Sequence, residues 1–437
     1  MTGTDFLDPD EIRARFSQAL SQMYRTEVPQ YGELLDLVAQ INADTRAADP
    51  ELDALLQASG EAGRLDQERH GAIRVGSPNE LATIAQAFRL MGMYPVGYYD
   101  LAPAGVPVHS TAFRPIDPAS LARNPFRVFT SLLRLELIED LALRREAQAI
   151  LSRREIFSPE ALELIGLGQA QGGLTRAQSE RFVSALLETF RWHMHATVSV
   201  ETYEGLLAAH RLVADVVSFK GPHINHLTPR TLDIDAAQAA MPLRGIRPKE
   251  TIEGPPQRTC PILLRQTSFK ALEEAVAFAD GEAWIQGAHT ARFGEIEQRG
   301  AALTPKGRAL YDLLLDQLKR DPKAFDAFPD DWVRLRREGL AWFRFRPGEV
   351  SASTSKPEVI DIEALIDSGQ VIAEPITYED FLPVSAAGIF QSNLGEGDQA
   401  SQQTMRSDRS AFEAAIGCGL EDEMRLYELE QAQSLAK

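Results

Sequence analysis

The order of predicted strands and helices constrains the fold of this chain more than any other feature of its sequence. Residues 70–76, HGAIRVG, predict a short strand, and residues 77–92 predict a helix with Ser77 at its N-cap and Pro78 in its first turn. Three more strands are predicted after this helix, over residues 94–101, 107–116 and 126–137. The order is strand, helix, strand, strand, strand, which makes one βαβββ module.

A second module of the same kind is predicted beyond the middle of the chain. Its first strand and its helix are residues 223–229 and 232–241. The remaining predicted elements are a strand at 260–271, an acidic helix at 272–280 and a last strand at 289–300. This order approximates βαβββ, with one helix inserted before the last strand. Two such modules pair into a half-open β-barrel of eight strands, so the predicted fold class is α+β.

The chain before and between the two modules is predicted to be mostly helical. Ile12, Phe16, Leu20 and Met23 recur at helical spacing, and leucines recur opposite charged residues over 138–218. The predicted organisation is an N-terminal helical segment at 1–66, a first module at 67–137, a helical insertion at 138–218, a second module at 219–330, and a C-terminal mixed segment packing on the core at 331–437.

Composition narrows the class of partner and of metal site. The formal net charge of −18 argues against a nucleic-acid partner, although one local arginine is enough to bind an anionic substrate. The two cysteines, Cys260 and Cys418, cannot build a disulfide framework or a thiolate zinc site. The N-terminus is acidic rather than apolar, and no run reaches membrane-spanning length, which predicts a cytoplasmic protein with no membrane partner. The oligomeric state is left open.

The predicted strand at 70–76 has two different faces, because successive side chains on a strand point to opposite sides. His70, Ala72 and Arg74 share one face, and Ile73 and Val75 share the other. One interpretation is a half-solvated strand with a polar outer face. The other is that His70 and Arg74 line a cavity together, with Arg74 about 13 Å along the strand from His70. Arg74 would then hold the far end of a ligand whose near end lies on His70.

The segment GPHINHLTPR, at 221–230, supplies two further histidines. His223 and His226 are three residues apart and point to opposite faces of a strand, so at most one of them can bind a given metal ion. The alternative is that neither is a ligand, since a single histidine in a strand is usually a hydrogen-bonded core or surface residue.

Two carboxylates share a strand face in RFGEIEQRG, at 292–300. Phe293, Glu295 and Glu297 all lie on this face. A buried carboxylate is costly unless a cation or a metal accompanies it. The alternative is an edge strand whose acids are solvated.

The sequences INHLTP and FGEIEQRG resemble ligand motifs of the vicinal-oxygen-chelate superfamily, and particularly those of hydroxyphenylpyruvate dioxygenase and hydroxymandelate synthase. In that superfamily the metal ligands come from the first strand of each module and from the last strand of the second. The resemblance therefore implies that His70, His226 and Glu295 are ligands. Two imidazoles and one carboxylate are the ligand set of non-haem Fe(II) oxygenases.

The chain as a whole resembles a narrower family, the 2-oxoadipate dioxygenase/decarboxylases. The resemblance covers nearly all of the sequence, and four stretches in the same order carry it: ERHGAIRVGSPNEL, FKGPHINHLTPR, RFGEIEQRG and FLPVSAAGIFQSNL. It implies an Fe(II) cofactor held by the three ligands and Arg74 on the distal carboxylate of the substrate. It also implies substrate contacts near Val384 and Ser385.

The reaction that this resemblance implies converts 2-oxoadipate and O2 to D-2-hydroxyglutarate and CO2 in lysine catabolism, as an oxidoreductase of class EC 1.13.11. A 2-oxo acid fills two of the open positions on the metal through its carboxylate and ketone, and O2 takes the third. Arg74 then has a clear task, because a guanidinium binds a carboxylate through two parallel hydrogen bonds and stays charged at every relevant pH.

Three alternatives stay open on the sequence alone. The first is a ring-cleaving dioxygenase or a glyoxalase-like isomerase on the same scaffold, with Glu297 as the second glutamate that an isomerase uses. Arg74 favours an acyclic diacid over a catechol. The second is a binding protein on the same half-barrel with no metal, which metal analysis of the purified protein would distinguish. The third is an architectural protein, which the charged residues on the inferred inner faces disfavour.

Overall fold

The computed structural model describes residues 5–269, 271–281, 283–318, 320–348, 361–382 and 408–436. The chain divides into two compact units. The first unit comprises Met1–Glu253, Gln266–Glu297 and Phe381–Glu421, and the second comprises Gly254–Arg265, Gln298–Asp380 and Asp422–Lys437. The five segments predicted from the sequence stay a prediction.

The strands alternate with helices in the first half of the chain and follow one another closely between residues 264 and 299. Their bounds are β1 Arg69–Val75, β2 Tyr94–Asp100, β3 Val108–Arg114, β4 Arg127–Leu133, β5 Leu227–Pro229, β6 Leu264–Ser268, β7 Glu273–Asp280, β8 Ala283–Thr290, β9 Glu295–Arg299, β10 Phe343–Pro347 and β11 Val371–Pro375.

The helices lie mainly at the N-terminus and between β4 and β5, as predicted. Their bounds are α1 Pro9–Glu27, α2 Pro29–Ala48, α3 Pro50–Ser59, α4 Glu61–Arg64, α5 Pro78–Arg89, α6 Pro118–Arg123, α7 Leu141–Leu151, α8 Pro159–Gln171, α9 Arg176–Leu187, α10 Val200–Ala209, α11 Arg211–Ser218, α12 Ile234–Ala240, α13 Pro305–Leu318, α14 Trp332–Arg337, α15 Ile362–Asp367, α16 Arg409–Ile416 and α17 Glu423–Leu435. Helix α5 begins as the sequence predicts, because the Ser77 side chain accepts a hydrogen bond from the backbone of Glu80. None of the helices in the described ranges combines the length and the apolar character that a bilayer crossing requires.

The largest sheet has five strands in the order β2-β3-β4-β1-β5. Strands β1 and β4 are parallel, and β1 and β5 are antiparallel. Three further pairs, β6–β9, β7–β8 and β10–β11, form two-stranded sheets. The predicted strand order of the first module is confirmed, with the short helix α6 added between β3 and β4. The fold is therefore mixed α+β, and closure of the two modules into a half-open barrel stays a prediction.

The acidic helix predicted at 272–280 is wrong, because these residues form β7. Strand β7 pairs antiparallel with β8, from Glu273 opposite Thr290 to Asp280 opposite Ala283. The turn between them contains Gly281 with a positive φ of 60°. Glutamate and alanine favour a helix, whereas valine and phenylalanine favour a strand. The residues of β7 that are buried are Val276–Phe278.

In the hydrophobic core of the first unit, helices α1 and α5 pack on the main sheet through aromatic side chains. Phe16 of α1 lies edge-on to Phe126 beside β4, with ring centroids 6.0 Å apart, and Phe88 of α5 meets Phe113 of β3 at 5.1 Å. All four rings are fully buried. Strand β1, which carries His70, lies in this sheet between β4 and β5.

Candidate metal centre

Three segments of the first unit bring the predicted ligands together. His70 is the second residue of β1, His226 immediately precedes β5, and Glu295 is the first residue of β9. Because β1 and β5 are antiparallel, His70 lies directly opposite Thr228. The predicted strand at 223–229 is shorter than expected, since only Leu227–Pro229 is extended and paired.

The chain before His226 lies unusually close to β1. The backbone N–H of Asn225 donates a hydrogen bond to the carbonyl of Ala72 at 3.0 Å. Gly71 suits this close approach, because a Cβ there would lie 2.6 Å from the Cδ1 of buried Ile224 and 3.2 Å from the carbonyl oxygen of His226, so the Ile224 side chain would have to shift.

One tyrosine of α1 holds the segments that precede two of the three ligands. The hydroxyl of Tyr24 lies 2.8 Å from the carbonyl oxygen of Asn225 and 2.8 Å from that of Phe293. The backbone N–H of Phe293 also donates to the Asn225 carbonyl, at 3.1 Å. The predicted N-terminal helix thus fixes the positions of His226 and Glu295 relative to each other.

The ligand atoms of His70, His226 and Glu295 all lie within 4.8 Å of one another, and all three residues are buried. The Nε2 of His70 is 3.1 Å from the Oε1 of Glu295, and the Nδ1 of His226 is 3.8 Å from the same oxygen. The solvated-acid alternative for Glu295 is wrong, since this side chain has no exposed surface. Among the described residues, this is the group of histidine, cysteine and acidic side chains that could hold a metal ion.

Each of the three residues keeps a buried polar atom without a hydrogen-bond partner. These atoms are the Nε2 of His226, the Oε2 of Glu295 and both ring nitrogens of His70, which approach Glu295 and Glu297 without hydrogen-bond geometry. A buried polar atom left unsatisfied costs about 1–3 kcal/mol, and the atoms left unsatisfied here are of the kinds that can offer a lone pair to a cation. Imidazole nitrogens and a carboxylate oxygen are the donors that a divalent transition metal takes, and the residues present therefore fit such an ion.

Neighbouring side chains orient the ligands. The hydroxyl of Thr228 donates to the Oε1 of Glu295 at 3.0 Å and lies 2.9 Å from the Nδ1 of His226. Since its one proton goes to the glutamate, the hydroxyl accepts from Nδ1–H, which leaves the lone pair of His226 on Nε2. The Nε2 of Gln266 donates to Glu295 at 2.8 Å, and the Oε2 of Glu297 lies 2.8 Å from the Nδ1 of His70. A carboxylate on the far nitrogen of a ligand histidine is a common support in metal sites.

The electrostatics of the centre keep one imidazole neutral and the carboxylate charged. Burial lowers the pKa of His226 to about 4, so this ring is neutral at pH 7. Burial also opposes charge on His70, but the nearby Glu297 and Glu295 outweigh it and raise the pKa of His70. Burial works against ionisation of Glu295, yet His226, His70 and the hydrogen bond from Thr228 hold its pKa below the usual value.

Aromatic side chains close the centre on two sides. The ring of Phe381 meets His70 edge-on with centroids 5.0 Å apart, and Phe293 lies 4.9 Å from His226. Phe129 of β4 supports Phe381 at 5.4 Å. Apolar walls exclude water and so strengthen every electrostatic interaction inside the centre.

Arg74 lies on β1 near the other end of the strand, with its side chain 10% exposed. The alternative of a half-solvated polar face on β1 is therefore wrong, since His70 has no exposed side-chain surface at all. The Nη1 of Arg74 is 2.8 Å from the Oδ2 of Asp215, a residue of α11 that sequence reasoning missed. No periodic pattern in α11 distinguishes Asp215 from a solvated acid, because its partners lie on other elements.

The two histidines of HINH separate as the sequence predicts. His226 joins the metal centre, whereas the Nε2 of His223 lies 3.2 Å from the Oδ1 of Asp215. Thr228 lies two residues after His226 and therefore on the same predicted strand face. This spacing could have identified Thr228 as a neighbour of His226. Val384 and Ser385, the substrate contacts implied by the resemblance, lie outside the described residues.

Comparisons with known proteins agree along the whole chain. The family model described as 2-oxoadipate dioxygenase/decarboxylase matches residues 16–393. A Pseudomonas putida protein named 2-oxoadipate dioxygenase/decarboxylase is 56% identical over 454 residues, which cover 100% of this chain and 97% of that protein. An Escherichia coli protein of the same name is 58% identical over 438 residues, covering 97% of each chain.

A solved structure is similar over the same length. The crystal structure of the hydroxyglutarate synthase from Pseudomonas putida, in complex with 2-oxoadipate, superposes with a TM-score of 0.89 at 55% sequence identity. The match covers 99% of this chain and 98% of that chain.

Proposed function

The chain belongs to the 2-oxoadipate dioxygenase/decarboxylase family, and we propose that it is an Fe(II)-dependent enzyme that converts 2-oxoadipate and O2 to D-2-hydroxyglutarate and CO2. The observation that carries this proposal is the buried group of His70, His226 and Glu295. Each of these residues keeps an atom with no hydrogen-bond partner, and these atoms are of the kinds that bind iron.

The choice of iron rests on the ligand set and the family together. Two histidines and one glutamate also bind zinc in hydrolytic enzymes, so the donors alone do not select the metal. The dioxygenase activity that gives the family its name favours iron. When bound, Fe(II) supplies open coordination positions for a 2-oxo acid and O2 and the electrons that activate O2.

The residues around the ligands have a separate task, which is to hold each ligand atom in place. Thr228 and Gln266 fix Glu295 through its Oε1, and Glu297 fixes the ring of His70 through Nδ1. Such support keeps the metal geometry constant while substrate enters. Phe293 and Phe381 exclude water from the same space.

Arg74 is proposed to bind the distal carboxylate of the substrate. It shares a face of β1 with His70 and lies about 13 Å along the strand from it. A six-carbon diacid whose oxo acid end lies at the metal centre directs its other carboxylate towards that part of the strand. A guanidinium holds this carboxylate in a fixed orientation, which limits the reaction to one carbon of the chain.

The proposed reaction balances without a second oxo acid. The carboxylate carbon next to the ketone leaves as CO2, and the ketone carbon becomes a new carboxylate with one oxygen atom of O2. The other oxygen atom becomes the hydroxyl group on the neighbouring carbon, whose hydrogen moves to that oxygen. The substrate supplies the two electrons from decarboxylation and the two from C–H oxidation that reduce O2.

Several finer points belong to the same proposal. We place the two modules in a half-open barrel around the metal centre and the enzyme in the cytoplasm. Its reaction falls in class EC 1.13.11, in lysine catabolism. Val384 and Ser385 are proposed as further substrate contacts.

A metal-exchange experiment tests the proposal. Metal-free protein is loaded anaerobically with Fe(II) or Zn(II) and incubated with 2-oxoadipate before O2 is added. We expect the iron-loaded protein to consume O2 and to form CO2 and 2-hydroxyglutarate in equimolar amounts, as measured by oxygen electrode and mass spectrometry. The zinc-loaded protein should form neither product. Absence of 2-hydroxyglutarate with iron, or equal activity with zinc, would contradict the proposed function.

A further inference from the structure

Asp215 lies at the centre of a buried network on the Arg74 side of the first unit. Asp215 is only 6% exposed. One oxygen, Oδ2, is 2.8 Å from the Nη1 of Arg74. The other, Oδ1, is 2.9 Å from the Nε2 of His289 and 3.2 Å from the Nε2 of His223. Both oxygens of the carboxylate are therefore engaged, and the side chain has one orientation.

The partners of Asp215 are themselves held. The Nδ1 of His289 lies 2.8 Å from the hydroxyl of Tyr203. Since the Nε2–H of this ring donates to Asp215, its Nδ1 accepts a hydrogen bond from the tyrosine hydroxyl. Trp192 stacks on His289 with an interplanar angle of 8° and meets His223 edge-on at 4.7 Å. A chain of contacts thus runs from Tyr203 through His289 and Asp215 to the guanidinium of Arg74.

The charge on Asp215 is secure. Burial alone would raise its pKa, but His223, the hydrogen bonds from His223 and His289, and Arg74 together hold the pKa well below the usual value. The carboxylate is therefore ionised at pH 7 and attracts Arg74 in a buried setting, where such a pair is stronger than at the surface.

Two other roles for this network fit less well. A second metal site needs ligand atoms close to one another, and within the described ranges only His70, His226 and Glu295 meet that condition. An ion pair that serves only the fold would have no effect on substrate binding. Arg74, however, shares a strand face with His70, so the position of its guanidinium determines where a substrate carboxylate can bind.

We propose that Asp215 is a positioning residue that fixes the guanidinium of Arg74 and thereby selects the length of the diacid substrate. This inference rests on the proposed function, in which Arg74 binds the distal carboxylate. A guanidinium anchored through Nη1 lies at a set distance from the metal centre. A diacid of matching length reaches both ends, whereas 2-oxoglutarate, one methylene shorter, has the same oxo acid end but falls short of Arg74. Anchoring of this kind is how remote contacts contribute to orientation at a reacting centre.

The test compares Asp215→Asn with Arg74→Ala, the double variant and a matched control. Asparagine keeps the shape of Asp215 and removes its charge. The control is Asp10→Asn, which removes the charge of another buried aspartate, paired at 2.7 Å with the buried Arg13. For each protein, iron content, kcat and KM are measured with 2-oxoadipate and with 2-oxoglutarate.

We expect Asp215→Asn to bind iron normally and to lose about 10-fold to 100-fold in kcat/KM for 2-oxoadipate, mostly through KM. Its preference for 2-oxoadipate over 2-oxoglutarate should shrink, because a guanidinium no longer held by Asp215 can follow a shorter chain. Asp10→Asn should keep the preference of the wild type. In the Arg74→Ala background, Asp215→Asn should change neither KM nor preference, since Asp215 acts through Arg74.

Several results would overturn the inference. Wild-type KM and preference in Asp215→Asn, beside a clear defect in Arg74→Ala, would show that Asp215 serves only the fold, with the proposed function intact. Fully additive effects in the double variant would show that Asp215 does not act through Arg74. A wild-type protein that does not turn over 2-oxoadipate would overturn the proposed function and this inference with it.

A milder variant covers the case in which Asp215→Asn does not fold. Tyr203→Phe removes the hydroxyl group that holds His289, and so loosens Asp215 through His289 without changing the charges of the Asp215–Arg74 pair. We expect the same shift in preference towards 2-oxoglutarate, at a smaller size. An unchanged preference in folded Tyr203→Phe would count against the proposal.

Discussion

Two clusters of buried charge lie near the start of β1, and they differ in how their charges are balanced. The arginine–glutamate cluster consists of Glu61, Arg64, Glu68, Arg127 and Arg230. In it, the Oε1 of Glu68 lies 2.9 Å from Arg127 and 3.2 Å from Arg64, and its Oε2 lies 3.0 Å from Arg230. In the metal centre, Glu295 instead receives hydrogen bonds from uncharged Thr228 and Gln266, and its Oε2 has no hydrogen-bond partner.

The difference separates a structural cluster from a functional one. A buried carboxylate surrounded by guanidinium groups has its charge compensated by the chain itself. The carboxylate of Glu295 instead has neutral hydrogen-bond donors, and the ion-pair partners of its Oε1 are imidazoles, whose charge depends on their protonation. Such a cluster costs stability until a cation arrives, which is the expected behaviour of a binding site. Glu68 and His70 are only two residues apart, yet Glu68 belongs to the arginine–glutamate cluster and His70 to the metal centre.

The largest effect that this comparison predicts is on the metal centre. If the proposed function holds, replacing His70, His226 or Glu295 by alanine should reduce turnover of 2-oxoadipate to background and abolish tight iron binding, because one of the three proposed ligands would be missing. Each variant should remain folded, at a lower unfolding temperature than the metal-free wild type, because truncation of a buried side chain leaves a cavity and removes a partner of a buried charge. Iron analysis, product assay and thermal unfolding measure the three outcomes.

His223→Ala is the matched control for His226→Ala. His223 contacts Asp215 rather than the metal centre, so this variant should retain iron. If His223→Ala loses iron while His226→Ala keeps it and remains fully active, the wrong histidine of HINH has been assigned to the metal.

The second prediction concerns stability in the arginine–glutamate cluster. Glu68→Gln leaves three arginines without their shared carboxylate, and breaking a buried ion pair in this way costs about 3–5 kcal/mol. We therefore expect the free energy of unfolding, measured by urea denaturation of the metal-free protein, to fall by that amount. Any variant protein that remains folded should still bind iron.

Glu413→Gln is the control for this prediction. Glu413 pairs with Arg409 one turn away on α16, with side chains 33% and 50% exposed. Removing such a pair costs roughly 0.3–0.5 kcal/mol. Equal losses in Glu68→Gln and Glu413→Gln would mean that the cluster does not hold the fold as its burial indicates.

The sequence allowed the first module to be predicted almost completely, whereas the second was predicted only in part. Strands β2, β3 and β4 carry bulky apolar residues between clear turn signals, and each was found. Strand β7 was missed because its glutamates and alanines favour a helix and its partner strand lies beyond it. The signal that could have found it is Asp280–Gly281, since this dipeptide is typical of a tight hairpin turn.

The residues of the metal centre and its surroundings were likewise predicted only in part. The three proposed ligands, which the structure brings together, could be named because their motifs resemble a family, and Glu297 because it shares a strand face with Glu295. Gln266 and Asp215 could not be found, because each contributes through contacts with residues far from it in the sequence. Nothing in the spacing of a single chain reports such a contact before the fold is known.

The third prediction separates a ligand from its support. Glu297→Gln removes the charge beside the Nδ1 of His70 but leaves the three proposed ligands in place. We expect iron affinity or kcat to fall by about 10-fold to 100-fold, whereas Glu295→Gln should lose both almost entirely. Titration with Fe(II) under anaerobic conditions measures the affinity. Equal and complete loss of iron from both variants would remove the reason for assigning Glu295 rather than Glu297 to the metal.

The smallest predicted effect is a pH dependence in the arginine–glutamate cluster. Burial opposes ionisation of Glu61, but Arg64 and Arg230 outweigh it and lower its pKa in the folded protein. The unfolded value is about 4.3, so Glu61 contributes stability at pH values above this, and the contribution disappears as pH falls through the lower folded pKa. Glu61→Gln should therefore lower the free energy of unfolding by about 1 kcal/mol near neutral pH.

The measurement is the difference in unfolding free energy between wild type and Glu61→Gln, from urea denaturation at several pH values. This difference should stay constant between about pH 8 and pH 6 and should shrink only as the pH falls towards and below about 4.3. Taking the difference cancels the other carboxylates, which titrate in both proteins. A difference that grows as the pH falls would mean that the arginines do not hold Glu61 ionised, and that the contrast with the metal centre is weaker than the contacts indicate.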